Sequence, residues 1–441
     1  MRKLTVKNFS VIKEAELEFG KITVLIGPQS SGKSLLCKLA YFLGKELVEL
    51  AVTSVANRDG WNSYIESATR EFFQRFNNYS VGDWSAVSHR VIFISHQYQV
   101  SLKWADDPNL LRFEFSDAFR DQYLQLLEDL YGNPPSASGA FYPGGLNPSL
   151  RRYDSWFAFN KIVSENVLEQ TVYVPAGRAF FTTAPKGFAL LQNPSIDPIT
   201  REFAAQIQWD GSWKIGLLTS GRGITDEINS FMTEICRGFV LIDSGVPRFL
   251  ASDGRKLPLE IVSTGVQELT PLFNILEQLM YLRENSFERS RANYDPPRPE
   301  PPAESRPRLY LEEPEANVFP ATQYQLVQLF SWLSSDPILD FSWVITTHSP
   351  YVLSSFNNLI EAGQIVRDHP ELREEVAKIV SERYWIKDGD FKAYSIHDGK
   401  LESILNESGF IEGNYLDQVS DVIEKEFDQL LRLEYDHSEA S

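Results

Sequence analysis

The segment Gly27-Pro28-Gln29-Ser30-Ser31-Gly32-Lys33-Ser34 constrains this chain more than any other eight residues do. It follows the apolar run at 22–26, which reads as a strand buried on both faces. It precedes a stretch, Ser34 to about Leu50, in which apolar residues return at helical spacing. Glycines at both ends of such a loop let backbone N–H groups curl around phosphate oxygens, and the helix N-terminus adds its partial positive charge. Lys33 in this position reaches the β- and γ-phosphates of a nucleoside triphosphate, and the Ser34 hydroxyl holds Mg2+. The fold class implied is α/β, with a buried strand feeding the loop.

The flanking pattern extends that unit. Residues 3–9 and 14–20 alternate apolar and polar, as half-buried strands do. Helices are expected at 62–77 and 115–131, and strands at Arg90–Ser95 and Thr171–Pro175. The glycine, proline and serine of 132–150 read as a loop. Short strands are expected at 238–242 and 247–251, inside an irregular lobe over 184–260. Residues 285–307 hold six of the 24 prolines and read as an exposed loop inserted before a strand at 308–311. Beyond 340 come a strand (341–346), a strand (391–396) turning at Asp398-Gly399, and a final amphipathic helix near 414–434. The expected organisation is a discontinuous core over 1–60, 171–180 and 235–441, a mostly helical insertion over 61–170, and the irregular lobe.

Three further motifs fall in a meaningful order. The run Arg308-Leu-Tyr-Leu-Glu312-Glu313-Pro314 delivers two carboxylates at the C-terminal end of an apolar strand. One can sit in the magnesium shell and the other can polarise an attacking water. Val262-Ser263-Thr264-Gly265 opens a helical pattern through Leu282. Taken alone it is an ordinary serine N-cap; between the phosphate loop and the acidic strand it is a second phosphate-binding helix end. Val344-Ile-Thr-Thr-His348-Ser349-Pro350 ends a buried strand in a histidine able to hydrogen-bond a phosphate or a water. His89, His96, His369, His397 and His437 have no such setting.

Composition limits the partners. Sixty acidic residues against 42 basic ones give a formal charge of −18, poor for binding nucleic acid over the whole surface, although a local basic strip remains open. Candidates for a strip are Arg151, Arg152 and Lys161, or Arg289, Arg291, Arg298, Arg306 and Arg308. Two cysteines, Cys37 and Cys236, make no disulfide framework. No run of about 18 apolar residues is present, and the opening residues lack a signal peptide's apolar core, so a cytoplasmic protein without a membrane partner is expected.

The four motifs in this order resemble an ABC-class ATPase head of the RecF/SMC/OLD type. The resemblance is carried by Leu4-Thr-Val-Lys-Asn-Phe9, Val24-Leu-Ile-Gly-Pro28, Glu312-Glu313-Pro-Glu-Ala316 and Thr347-His348-Ser-Pro-Tyr351. It covers roughly 1–50, 171–180 and 260–360. It implies a mixed central sheet with N-terminal antiparallel strands and inserted lobes. ATP would lie on Gly27, Pro28, Gln29, Ser30, Ser31, Gly32, Lys33, Ser34 and Leu35. Ser34 and Glu312 would hold Mg2+. Glu313, His348 and Lys33 would be the catalytic residues, and Glu315–Asn317 the loop at a dimer seam. Ser263 and Gly265 would touch the nucleotide of a second copy. Glu312 stands where the family more often has Asp, Asn317 where it often has His, and Val266 where its signature has a second Gly. The magnesium-sensing loop falls either at Gln97 and Gln99 or at Tyr173-Val-Pro-Ala-Gly-Arg178, with Arg178 ranked first.

In such heads ATP joins two copies and hydrolysis loosens them, so an ATP-dependent dimer or higher oligomer is expected. Among them, coil-less acidic chains resemble the ATPase subunits of two-component anti-phage systems, PARIS nearest in layout, Septu and retron-linked ATPases further off. The resemblance therefore implies a sensor that holds a separate effector protein, possibly a nuclease, and answers a phage trigger protein. The competing expectation is a RecF-like ATPase that clamps DNA. An intrinsic nuclease is not expected, because Asp388-Gly-Asp390 reads better as a turn before the strand at 391–396.

Overall fold

A computed structural model describes residues 2–76, 90–104, 111–131, 158–159, 170–183, 196–207, 224–243, 246–291, 306–412 and 425–429. Fourteen strands form in chain order among them: β1 (Arg2–Phe9), β2 (Ile12–Glu18), β3 (Ile22–Ile26), β4 (Arg90–Ser95), β5 (Tyr98–Trp104), β6 (Leu111–Phe115), β7 (Gln170–Val174), β8 (Gly238–Asp243), β9 (Val246–Ala251), β10 (Lys256–Pro258), β11 (Pro307–Glu312), β12 (Ser342–Thr347), β13 (Phe391–His397) and β14 (Lys400–Ser403). Eleven belong to one mixed sheet in the order β6-β5-β4-β1-β2-β14-β13-β3-β12-β11-β7. Neighbours from β13 to β7 run parallel, whereas β2, β1, β4, β5 and β6 form an antiparallel wing. β8, β9 and β10 make a separate three-stranded antiparallel sheet. The expected mixed α/β architecture with N-terminal antiparallel strands is present.

The parallel block reads as continuous hydrophobic runs because both of its faces are covered. Trp343 and Ile345 of β12 join Leu309 and Leu311 of β11 in one core, beneath the helices Thr264–Arg291, Pro320–Ser335 and Pro350–Asp368. Alternate residues of the same strands, Val344 and Tyr310, enter a second core with the helix Lys33–Tyr41 and the wing. Period-two alternation thus builds three layers from one sheet.

Several boundaries differ from the expectations. The helix after the phosphate loop continues to Ala56 through a π-helical segment, Phe42–Glu46. Gly44 lies inside that segment, where a Cβ would stand 2.8 Å from the Phe93 ring. The part of 61–170 that is described is not a separate helical lobe. Its helices Trp61–Phe76 and Asp117–Tyr131 cover strands β4–β6, which extend the main sheet. β5 and β6 were hidden because charged and aromatic residues crowd their alternation. The helix Thr264–Arg291 runs into the proline-rich stretch, whose residues 292–305 lie outside the described residues. The loop at 132–150 also lies outside them, and of the final helix near 414–434 only 425–429 is described, as helix. Asp388-Gly389-Asp390 is a turn, and Asp398-Gly399 closes the β13–β14 hairpin. Among the described residues no helix is long and apolar enough to cross a membrane.

Glu277, on the helix Thr264–Arg291, is desolvated, and burial pushes its carboxyl up to about 7. Its Oε1 makes no hydrogen bond. The folded chain holds a proton there that the unfolded chain gives up near the ordinary carboxylate value, so stability falls as pH rises from about 4.5 through 7. Glu277→Gln should therefore melt above the wild type at pH 8 by about 1–3 kcal/mol of added stability, the gap closing at pH 5. A gap independent of pH in thermal melts would contradict this.

Candidate functional site

Strand register assembles the site. β12 lies between β3 and β11, with Ile26 opposite Thr347 and Glu312 opposite Thr346. On the far side of β11, Leu311 faces Val174 of β7. Four parallel strands thus end at one level, and their loops begin with Gly27, Pro175, Glu313 and His348. Ligand sites of open α/β sheets form at such carboxyl ends.

The phosphate loop leaves β3 and enters the helix Lys33–Tyr41. Gly32 has φ 106°, and a Cβ there would lie 2.3 Å from Ile12 Cδ1, so only glycine fits. Pro28, Gln29 and Ser30 are exposed, as is the Ser34 side chain at the helix start. Leu35 is buried in the second core and offers the loop its backbone alone. The Lys33 ammonium donates to the Gly27 carbonyl at 2.7 Å and the Pro28 carbonyl at 2.9 Å. Burial lowers its pKa, while Glu313, Glu315 and Glu312 pull it back up. Ser31 Oγ is buried without a hydrogen-bond partner. A lysine folded onto its own loop, an orphaned serine and a helix N-terminus without an acidic residue in its first turn fit a polyphosphate.

Glu312 is buried, and both its oxygens are held: Oε1 accepts from the Tyr173 hydroxyl at 2.6 Å and Oε2 from the Ala176 N–H at 3.1 Å. Tyr173 is stacked on Tyr310 and meets Tyr41 of the phosphate-loop helix edge-on, so a tyrosine cluster fixes this carboxylate against that helix. Glu313 turns outward. Its backbone adopts φ 44°, the left-handed region that disfavours glutamate, and its Oε1 lies 3.4 Å from His348 Nε2. Glu315 Oε1 accepts from the Thr347 hydroxyl at 2.8 Å and the His348 N–H at 2.6 Å, tying the two loops together. Among the described residues no group of three or more acidic, histidine or cysteine side chains forms a metal cage.

Strand register thus brings Lys33, Ser34, Glu312, Glu313 and His348 to the same end of the parallel block. Ser263 and Gly265 sit at the start of the helix Thr264–Arg291. Ser263 is exposed and its hydroxyl accepts from the Val266 N–H at 3.4 Å, a helix cap. Among the described residues no hydrogen bond joins either of them to the phosphate loop. A Cβ on Gly265 would lie 2.8 Å from the Asn317 carbonyl, so this helix start packs against the Glu315–Asn317 loop. Arg178 differs most from expectation. Its side chain is fully buried and its donors go to backbone carbonyls, so it is placed to support the site from beneath, not to line it. Gln97 and Gln99 lie at the β4–β5 hairpin of the wing. Sequence reading named Tyr173 only as the start of a candidate magnesium-sensing loop and Glu315 only as part of a seam loop; it missed the hydroxyl bond of Tyr173 to Glu312 and the anchoring part of Glu315.

No protein-family model matches the chain, and no curated protein matches it. Among solved structures the chain is similar to an SMC head domain from Thermotoga maritima, at 11% identity and TM-score 0.39 over 92% of this chain and 98% of that one. It is similar to the recombination mediator protein RecF with ATP, at 12% identity and TM-score 0.37 over 91% and 96%. It is also similar to the ATP-binding cassette of an ABC transporter in its ADP conformation, at 10% identity and TM-score 0.34 over 96% and 97%. Likenesses this loose leave the chemistry to the site's own residues.

The Tyr173–Glu312 bond gives a test. Tyr173→Phe keeps the ring stacking and frees one buried carboxylate oxygen, a loss of about 1–3 kcal/mol of local interaction. The melting temperature should fall by about 1–4 °C in a thermal melt, the stacked rings otherwise unchanged. An unchanged melting temperature would deny Tyr173 that part.

Proposed function

We propose that this chain binds and hydrolyses ATP and that ATP closes two copies head to head. The observation that carries the reading is the meeting of Lys33, Ser34, Glu312, Glu313 and His348 at the ends of three adjacent parallel strands. Loop N–H groups and the Lys33 ammonium would hold the β- and γ-phosphates, their charge matched by the helix N-terminus. Mg2+, carried by the nucleotide and met by Ser34 and Glu312, would neutralise charge on the transferred phosphoryl group. Glu313 is the base that orients the attacking water and accepts its proton. His348, 3.4 Å away, shares that water's hydrogen bonding. Ser263, exposed, and Gly265, half-buried, begin a helix with no hydrogen bond to their own phosphate loop among the described residues and suit the nucleotide of a second copy. ATP then biases the closed state by binding it better than the open one.

In this reading the closed pair is the sensor and scaffold of an anti-phage defence system, holding a separate effector that a phage trigger releases. The net charge of −18 and the resemblance of the motifs support a protein partner. A second reading, a RecF-like clamp on DNA, draws on one observation. Lys7, Arg90, Lys103 and Arg112 stand opposite one another on β1, β4, β5 and β6. All four are exposed, and at about 4.8 Å per strand the row spans roughly 14 Å. Lys7 and Lys103 have carboxylate partners in Glu14 and Glu114. This is not the strip expected from sequence: Arg306 pairs with Asp340, Arg308 lies on the buried strand β11, and Arg151, Arg152, Lys161 and Arg298 lie outside the described residues.

Lys33→Ala should abolish ATP binding and turnover. Glu313→Gln should bind ATP, lose about 100-fold or more in turnover, and elute with ATP as a larger species in size-exclusion chromatography. Identical elution of the two variants would defeat ATP-driven closure. A pull-down with tagged Glu313→Gln separates the readings: a stoichiometric protein supports the sensor, and co-purifying DNA released by salt supports the clamp.

A further inference from the structure

Arg178 follows β7 at the end of the loop Pro175-Ala176-Gly177. Its side chain has no exposed surface. Nε donates to the Glu268 carbonyl at 3.2 Å, Nη1 to the carbonyls of Pro175 at 2.9 Å and Glu312 at 2.6 Å, and Nη2 to that of Glu313 at 3.1 Å. One planar guanidinium thus ties together the end of β7, the end of β11 and the second turn of the helix Thr264–Arg291. Arginine alone carries five donors in a rigid fork and no acceptor, which this arrangement requires. The Glu268 carboxylate, also buried, lies 3.7 Å from Nε, and its Oε2 has no hydrogen bond. Burial lowers the Arg178 pKa, and Glu268, Glu312, Glu315 and Glu313 oppose that, so the cation offsets an acidic nest.

The Glu313 backbone makes this bond consequential. A glutamate at φ 44° is strained, and such a conformation persists only where its surroundings over-determine it. The Glu313 peptide is pinned at both ends: its N–H donates to the Thr346 carbonyl at 2.9 Å, and its carbonyl accepts from Arg178. The pinned backbone aims the carboxylate toward His348.

Resting on the hydrolysis reading above, we infer that Arg178 is a positioning residue, which locks Glu313 in its working conformation and couples it to the helix Thr264–Arg291. The start of that helix is where a second copy's nucleotide would act. Displacing the helix pulls on the Glu268 carbonyl, and the guanidinium carries the displacement to the carbonyls of Glu312 and Glu313. Occupancy of one site thereby reaches the water-activating group of the other through one side chain, without contact between Arg178 and either nucleotide.

The test measures ATP affinity with a fluorescent nucleotide and turnover separately, in the wild type, Lys33→Ala, Arg178→Ala and Arg178→Lys. Both Arg178 variants should keep ATP affinity within about threefold while kcat falls about 10- to 100-fold. Millimolar guanidinium ion, but not methylammonium, should restore part of the kcat of Arg178→Ala, a readout that general loss of packing would not give. If the alanine variant does not fold, Arg178→Lys carries the same comparison, because it keeps the charge but cannot span four carbonyls. Turnover within twofold of wild type, or ATP affinity falling in step with kcat, would overturn the inference. A wild type without turnover above Lys33→Ala would instead defeat the hydrolysis reading itself.

Discussion

The hydrogen-bond register between β3, β12 and β11 is the constraint on which the rest depends. Parallel pairing sets Ile26 beside Thr347 and Thr346 beside Glu312, so three loops distant in sequence begin on neighbouring strands, the outer two separated by two strand spacings. A slip of one residue in β12 would turn Val344 and Ile345 toward the wrong cores and move His348 away from Glu313. The apolar content of these strands therefore supplies more than stability: it fixes register, and register places the charged groups.

Those groups make an expensive neighbourhood. Glu312, Glu313, Glu315 and Glu268 crowd around the end of β11, and two of them are buried. The structure meets the cost with Tyr173, backbone N–H groups and the buried Arg178, and Lys33 lies in the same field. Each carboxylate has its own environment. Glu312 is fixed and enclosed, Glu313 is 40% exposed and faces His348, and Glu315 serves as a strut between loops. Adjacent glutamates in the sequence thus acquire different chemistry from one left-handed residue between a strand and its turn.

Much of the site was legible because its signals are local. Gly27 to Ser34 declares its loop by glycine spacing between a strand and a helix, and Glu312 to Glu313 and His348 each close an apolar run. Arg178 was legible as a residue and not as a part: the sequence places it after a strand, but only tertiary packing shows which carbonyls it reaches. Tyr173 was likewise named without its partner, because the hydroxyl bond to Glu312 joins residues 139 apart in sequence. The wing strands β5 and β6 escaped because Lys103, Arg112 and Glu114 interrupt the apolar pattern, and Lys103 and Arg112 belong to the basic row. The end of the helix Thr264–Arg291 was set too early, since arginine and glutamate near a proline-rich stretch read as solvent-facing whether helical or not.

The sheet's continuity conceals a narrow waist. The antiparallel wing meets the parallel block through β14 and β2, which pair at a single position, Lys400 with Glu14, helped by the Gly399 carbonyl accepting from Lys13 and Glu14. The two plates share the second core and the bonds between Glu18 and Tyr394, so packing, more than ladder pairing, sets their mutual angle. The phosphate loop touches both: a Cβ on Gly32 would strike Ile12 of the wing, and one on Gly27 would strike the Ile396 carbonyl of the block. The loop therefore sits at a fulcrum, and any tilt of one plate against the other becomes a change in the curvature of its backbone.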